Sequence, residues 1–322
     1  MSRPLRIEYP GAYYHVMNRG LASQTVFTDR VDRQRFLNLL GECHEMWGIG
    51  VLAYCLLGNH YHLLIQTPEA NLSRVMRHLD GVYTQRTNRR HKRDGPLFRG
   101  RYKAILVDAE EYLLAVARYI HRNPVQAGLV RDPEVYRWSS CRLYLGGTES
   151  RPKWLEAEQL LGRFSGRDKR KAFQAFMCAE VEESVRQFYA KKRLIPVLGS
   201  LGFREWIKGR IRKSRVDPRE IPEAKPYLRV DLEECLKVVS RVYRVEEKEL
   251  MRSRRGQRNE ARAMAMYVCR KMGRMKQEEI ASVFGVGGYS AVSSVIGRMQ
   301  AQLGGRGEGA QRYEQIRGAL KR

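Results

Sequence analysis

The chain has 322 residues and a mass of 37.5 kDa, enough for at least one full core and, by length, for two or three domains. With 60 Lys+Arg against 35 Asp+Glu it carries a formal charge of +25 and a pI near 10.1; this points to a polyanionic partner, nucleic acid first, although an anionic membrane surface or ribosomal RNA suits the same total. No apolar stretch approaches a membrane span, the first ten residues lead into no signal-like apolar segment, and the six cysteines form no CxxC pair, so the expectation is a cytoplasmic protein with reduced, mostly buried thiols and no membrane partner.

In chain order, residues 13–18 read as a short strand. Residues 29–46, with Phe36, Leu39, Leu40 and Cys43 at helical spacing, read as an amphipathic helix opened by Thr28 or Asp29. The period then changes: 51–57 is a short apolar run, Gly58-Asn59 a turn, and 60–66 a second strand, which predicts a hairpin. Ser73 can cap a helix reaching about Asn88. Asp108 with Glu111 resembles a capping box that opens a helix ended by Pro124. The order β-α-β-β-α-α fits an α+β sandwich with an antiparallel sheet. Past Gly146-Gly147 the strand signals fade, with helices over 155–164, 169–190 and about 203–212 and a Gly-interrupted apolar connection at 194–202. Pro218, Pro222 and Pro226 among charges suit an extended linker. Helices then fill 231–243, 246–251, 260–272, 277–284 and 290–303, and the stretch from Gly304 to Gly309 frays into a basic tail. This divides the chain into 1–150, an all-helical connector and linker at 151–228, and a C-terminal helical domain at 229–322.

His60 and His62 flank one bulky residue on a strand. Side chains alternate faces with period two, so both imidazoles project to one side, close enough to share a cation, while Tyr61 points away. The plainer alternative is one packed and one solvated histidine. Tyr119 and Asn123, four apart on a helix, lean to one face and are candidates to complete the site; equally, Tyr119 could be a core aromatic and Asn123 a cap before Pro124. Tyr61, Tyr83, Tyr102 and Tyr112 compete as nucleophiles, and His121 should sit on another helix face as a surface or DNA-contacting residue. Two imidazoles and an amide leave open positions for phosphate oxygens, and Mg²⁺ or Mn²⁺ suits them, Mn²⁺ tolerating nitrogen better.

Arg86, Arg89, Arg90, Lys92, Arg93, Arg99, Arg101 and Lys103 are interleaved with Phe98 and Tyr102. Cations that follow phosphates and rings that stack on bases suit single-stranded or hairpin DNA, a solvated charged loop being the alternative. Near the C-terminus, the helix over 277–284, a Gly287-Gly288 turn and the helix from Ser290 have helix-turn-helix spacing. Arg254, Arg255 and Arg258 would grip duplex phosphates, and Tyr289, Ser290, Ser293 and Ser294 could face a groove; a helical packing or dimerisation module is the alternative.

The stretches Tyr14-His15-Val16-Met17-Asn18-Arg19-Gly20, Gly58 to Leu64, Gly95 to Lys103 and Arg118 to Val125 resemble the REP-associated tyrosine transposases, single-tyrosine enzymes of the His-hydrophobic-His endonuclease superfamily, over about residues 4–147. The resemblance implies a ferredoxin-like fold, His60 and His62 as metal ligands, Tyr119 as nucleophile with linkage to a 5′ phosphate, and Asn123 in a third-ligand position that is Gln in some relatives. Residues 231–303 resemble the duplex-binding domain of the bacterial chromosomal replication initiator, departing from it at Gly288, Tyr289 and Ser290, where that family commonly has Asp-His-Thr. Together these imply a DNA transposase that nicks and rejoins strands, as monomer or homodimer. A DNA-binding regulator without catalysis and a metal nuclease using water are the rivals.

Overall fold

The computed structural model describes residues 7–146, 150–191, 196–213, 230–252, 259–273, 275–303 and 307–320. The chain separates into two compact units, Met1–Ala224 and Lys225–Arg322. The proline-marked linker expected near 218–226 lies outside the described residues.

The first unit begins with β1 (Ala12–Arg19), α1 (Arg30–Trp47), β2 (Gly50–Leu57), β3 (His60–Thr67), α2 (Leu72–His91), β4 (Lys103–Val107) and α3 (Ala109–Gln126). Asp29 caps α1, its carboxylate accepting from the N–H groups of Val31 and Asp32 at 2.9 and 3.0 Å, and Gly48 ends the helix in the left-handed region at φ 63°. The hairpin predicted at Gly58-Asn59 is present, pairing Leu57 with His60, and a bulge between Val51 and Ala53 adjusts its far end. β1 lies antiparallel between β3 and β4, which gives the order β2-β3-β1-β4 expected of a ferredoxin-like sheet.

Three details depart from the sequence reading. β4 was not anticipated, because its five residues directly follow a polar basic loop. Ser73 is not the cap of α2: Asn71 holds that position, while the Ser73 N–H donates to Glu8 Oε1 at 2.9 Å. Pro124 does not end α3. It lies within the last turn, where its missing N–H removes only one ladder bond, and the Asn123 amide braces that turn by donating from Nδ2 to the Tyr119 carbonyl at 2.8 Å.

The remaining elements of this unit are α4 (Cys141–Tyr144), α5 (Ala157–Leu161), α6 (Lys169–Cys178), α7 (Glu183–Ala190), β5 (Val197–Leu198) and α8 (Leu201–Lys213). The connector, expected to be all-helical, thus contributes a short fifth strand, parallel to β4, and the sheet is mixed rather than wholly antiparallel. Asp108, the N-cap of α3, also accepts from the Ser200 hydroxyl at 2.8 Å, which fastens β5 and α8 to the start of α3.

The sheet therefore has a different layer on each face. Tyr61, Asn18 and Tyr14 face α1 and α2: the Tyr61 ring meets Phe36 with centroids 4.8 Å apart, and Asp80 accepts from Tyr61 Oη at 2.6 Å and from Asn18 Nδ2 at 2.8 Å. Burial pushes the Asp80 carboxyl up to about 6. Tyr13, His15, Met17 and Arg19 of β1 share the other face with their antiparallel partners Gln66, Leu64, His62 and His60. That face is covered by α3 and the connector helices.

The second unit is all-α: α9 (Leu232–Tyr243), α10 (Glu247–Met251), α11 (Glu260–Lys271), α12 (Gln277–Phe284), α13 (Tyr289–Leu303) and α14 (Glu308–Leu320). Its core includes Cys235, Val239, Met264, Val268, Cys269, Ile280, Val292 and Ile316, all almost fully buried. Where a frayed tail was expected, α14 packs into this core through Ile316 and Leu320, because Tyr313, Ile316 and Leu320 fall on one helical stripe. Among the described residues no single helix is long and apolar enough to cross a membrane.

Candidate active site

The hairpin turn is held from outside. The carbonyl of Gly58 accepts from the N–H groups of Val26 and Phe27 at 2.9 and 3.0 Å, and that of Asn59 accepts from the N–H of Gly20 at 2.9 Å. Gly20 itself is closed in by its own loop: a Cβ there would lie 2.2 Å from the Gln24 carbonyl oxygen. From this anchored turn β3 projects His60 and His62 to the same face, with ring centroids 5.1 Å apart. His60 Nδ1 lies 2.7 Å from Asn59 Oδ1, an acceptor, so its proton sits there and Nε2 keeps the lone pair. Burial, reinforced by the charge of Arg19, holds the His60 imidazole down to about 4; burial holds His62 well below its ordinary value. Both are kept as neutral imidazoles, the form that ligates a cation.

Tyr119 approaches from α3, its ring 6.1 Å from that of His62. Two further side chains, neither of them among the candidates from the sequence, meet this group. His15, in the middle of β1, is fully buried; its Nε2 lies 2.9 Å from His62 Nδ1 and its Nδ1 2.5 Å from the hydroxyl of Tyr189. Burial depresses His15 to about 3. Tyr189, on α7, stacks on Tyr119 with centroids 4.0 Å apart and planes 14° from parallel. Burial raises both phenols above their ordinary value, Tyr189 by far the more. Alternation along β1 would have marked His15 as the companion of Leu64 and neighbour of His62, had β1 been set in register against β3. No local signal in 183–190 identifies Tyr189.

Three of the four rival phenols are accounted for elsewhere. Tyr83 donates to the Val26 carbonyl at 3.0 Å and Tyr61 to Asp80, both behind the sheet, while Tyr102 is buried with its hydroxyl 3.4 Å from Ser73 Oγ. Asn123 lies one turn beyond Tyr119; with Nδ2 committed to the Tyr119 carbonyl, the amide oxygen is the atom a cation would use. His121 is not at the surface. It is fully buried, with Nε2 2.8 Å from Ser140 Oγ, because the residues around Ser140 and helix α6 cover the outer side of α3.

The basic stretch divides between the two faces. Arg86, Arg89 and Arg90 belong to α2, behind the sheet; Arg90 bridges Asp29 and the buried Asp32 at 2.5 and 2.6 Å, and Arg86 pairs with Glu42 at 2.9 Å. Lys92 is the exposed C-cap of α2, and Arg93 bonds Gln24. The segment from Phe98 to Lys103 instead borders the histidines: the Arg99 N–H donates to the Arg19 carbonyl at 2.9 Å, and Lys103, Met17 and His62 form one row across β4, β1 and β3. Arg101 lies in the same segment, half-buried. Arg19, directly opposite His60, is a second cation on this face that was not selected from the sequence. Phe98 and Tyr102, expected to stack on bases, are buried, Phe98 against Tyr61 and Tyr83.

In the second unit α12 and α13 meet at 97° across a turn that Gly285, at φ 58°, begins, the geometry of a helix-turn-helix. Val292, Ile296 and Met299 bury one side of α13, and Tyr289, Ser290, Ser293 and Ser294 are exposed on the other. Arg254, Arg255 and Arg258 lie outside the described residues.

Residues 8–123, which hold most of this sheet, the same-face histidine pair and Tyr119, match the family model of IS200-like transposases. Residues 232–298 match the model of the bacterial dnaA protein helix-turn-helix. Over these two stretches the chain resembles an IS200-like transposase domain and a dnaA-type helix-turn-helix. Among solved structures it is similar to a REP-associated tyrosine transposase bound to a REP hairpin, with 16% identity, 48% of this chain and 98% of that one covered, and a TM-score of 0.39. No curated protein matches the chain.

Proposed function

We propose that the first unit cuts and rejoins one DNA strand through a covalent phosphotyrosine at Tyr119, with a divalent cation held by His60, His62 and Asn123. The observation that carries this is the meeting of Tyr119 with the neutral histidine pair on one face of the sheet. The donor set fits a cation: His60 has Nδ1 engaged by an acceptor, His62 has Nδ1 engaged by His15, and each ring has Nε2 remaining. A bound Mg²⁺ or Mn²⁺ would polarise the scissile phosphate and ease formation of the phenolate, whose cost burial raises.

The Tyr119 phenol releases its proton to solvent as its oxygen attacks phosphorus, the bond to the departing deoxyribose oxygen breaks, and that oxygen takes up a proton from solvent and leaves as a free hydroxyl. The phosphotyrosine retains the bond energy, so the reverse attack by a hydroxyl rejoins strands without ATP. Linkage to the 5′ phosphate is the polarity proposed. Arg19 and Lys103, with Arg99 and Arg101, would guide the single-stranded or hairpin substrate across this face, and the arginines of α2 would contact phosphates more remotely. The second unit would dock on duplex through Tyr289, Ser290, Ser293 and Ser294, with phosphate contacts from Arg254, Arg255 and Arg258.

The test is incubation of the full chain with short end-labelled hairpin DNA and Mn²⁺, followed by denaturing electrophoresis. A labelled protein adduct, absent in Tyr119→Phe, is the expected result. Cut DNA without an adduct would replace this reading by water-using hydrolysis, and binding without cutting by a regulator.

A further inference from the structure

Tyr189 touches both the candidate nucleophile and, through one histidine, a candidate ligand. We propose that it is a positioning residue of the site: its phenol oxygen accepts from His15 Nδ1–H, His15 Nε2 accepts from His62 Nδ1–H, and His62 Nε2 is left open as the ligating nitrogen. The inference rests on the reading that His60 and His62 hold a cation.

A neutral imidazole has one proton and two nitrogens, so the partner of one nitrogen decides what the other can do. His60 is settled locally, since Asn59 Oδ1 at 2.7 Å can only accept and fixes the proton on Nδ1. His62 faces another imidazole, His15, at 2.9 Å, and an imidazole nitrogen can donate or accept. Two orders of donors satisfy the chain of His62, His15 and Tyr189. If the Tyr189 hydroxyl donates to His15 Nδ1, His15 donates to His62 Nδ1, and the only proton of His62 sits on Nε2, closed to a cation. If His15 donates to the Tyr189 oxygen at 2.5 Å, His62 donates to His15 and keeps Nε2 open. Only the second order matches His60. A phenol can terminate the chain in this way because its oxygen accepts while its own hydrogen rotates elsewhere.

The same side chain stacks on Tyr119 at 4.0 Å, so the phenol that would attack and the imidazole that would ligate are both braced by α7. That helix lies beyond residue 123, where the match to the transposase family model ends. Outer-shell partners of ligating histidines fix ring orientation and tautomer in general, and their loss weakens metal binding without removing a ligand.

The experiment uses the full-length, metal-free protein with ¹⁵N-labelled histidine, read by long-range proton–nitrogen correlation, together with calorimetric titration of Mn²⁺ alone. The wild type should carry the His62 proton on Nδ1. Tyr189→Phe keeps the ring stack and removes only the oxygen; His62 should then shift toward the Nε2–H tautomer and Mn²⁺ affinity should fall roughly 10–100-fold. His15→Gln supplies an amide oxygen that still accepts from His62 Nδ1–H, so it should retain the tautomer, and adding Tyr189→Phe to it should change nothing further. Tyr119→Phe should leave the tautomer and the Mn²⁺ affinity intact while abolishing adducts, which separates this inference from the nucleophile assignment. A wild-type His62 protonated on Nε2, or a Tyr189→Phe protein with unchanged tautomer and affinity, overturns the proposal.

Discussion

The ring of Tyr119 lies flat on that of Tyr189, 4.0 Å away, so the aromatic contact and the hydroxyl of Tyr119 can be removed separately. Tyr119→Phe should keep the stack and change stability by less than about 0.5 kcal/mol, yet yield no covalent DNA adduct. Tyr119→Ala should lose both and cost on the order of 2–3 kcal/mol. Urea denaturation beside an adduct gel reads the two effects; adducts that persist in Tyr119→Phe would move the nucleophile to another phenol.

Removal of either imidazole should weaken Mn²⁺ binding and DNA cutting together, with excess Mn²⁺ partly restoring His60→Ala or His62→Ala. Full cutting by the double variant in the presence of a chelator would exclude a cation-assisted reaction.

Burial lowers His15 and His121 to about 3, His60 to about 4 and His62 well below the ordinary 6.5. Between about pH 6.5 and 4 the unfolded chain binds protons that the folded chain refuses, so this stabilisation is complete above pH 6.5 and is lost as pH falls. Asp80, raised from 3.8 to about 6, acts in the opposite sense over much of the same range but is one group against four. The urea midpoint of the metal-free protein should therefore drop from pH 7.5 to pH 5, and His121→Gln should flatten that drop. A midpoint that rises on acidification contradicts this account.

Arg90 and Lys103 are both cations of the basic stretch, but they should fail differently. Arg90→Ala leaves the buried Asp32, among the described residues, with His91 and the Thr28 N–H, and should cost about 1–3 kcal/mol of stability with little effect on adduct formation per folded molecule. Lys103→Ala or Arg19→Ala should spare stability and slow adduct formation. Equal effects of Arg90→Ala and Lys103→Ala on the adduct rate would argue that the strand runs over α2 instead.

Residues 225–322 form a compact unit with its own core and should bind duplex DNA alone. The log–log salt dependence should have a slope of about −0.9 per phosphate neutralised. Substituting Arg254, Arg255 and Arg258 should flatten it for all sequences alike, whereas Ser290→Ala or Ser293→Ala should change the ranking of sequences. Gel shifts at several salt concentrations decide, and self-association without duplex binding would favour a packing module.

The shared face of His60 and His62 was legible because strand alternation is local, whereas helical spacing put Tyr119 and Asn123 on one side of a helix and the family resemblance singled them out. The meeting of His15 and Tyr189 with them was not, since the register of β1 on β3 brings His15 to His62 across 47 positions and the docking of α7 brings Tyr189 to His15 across 174. Similarly, His121 was correctly rotated away from Tyr119, but its burial depends on helices that arrive later in the chain. Phe98 and Tyr102 misled because basic neighbours in sequence masked apolar neighbours in space. β4 was hidden by its length, and α14 by the glycines before it.

The place of Tyr189 in the chain gives synthesis a temporal order. The four-stranded sheet and α3 are complete once Gln126 has been made, so the histidines and Tyr119 can meet on the ribosome. The phenol that braces them is about 60 residues further on, roughly 3–12 s later at about 5–20 residues per second. During that interval the nascent protein would hold the chemical groups without their outer support, and the finished site would date from the docking of α7.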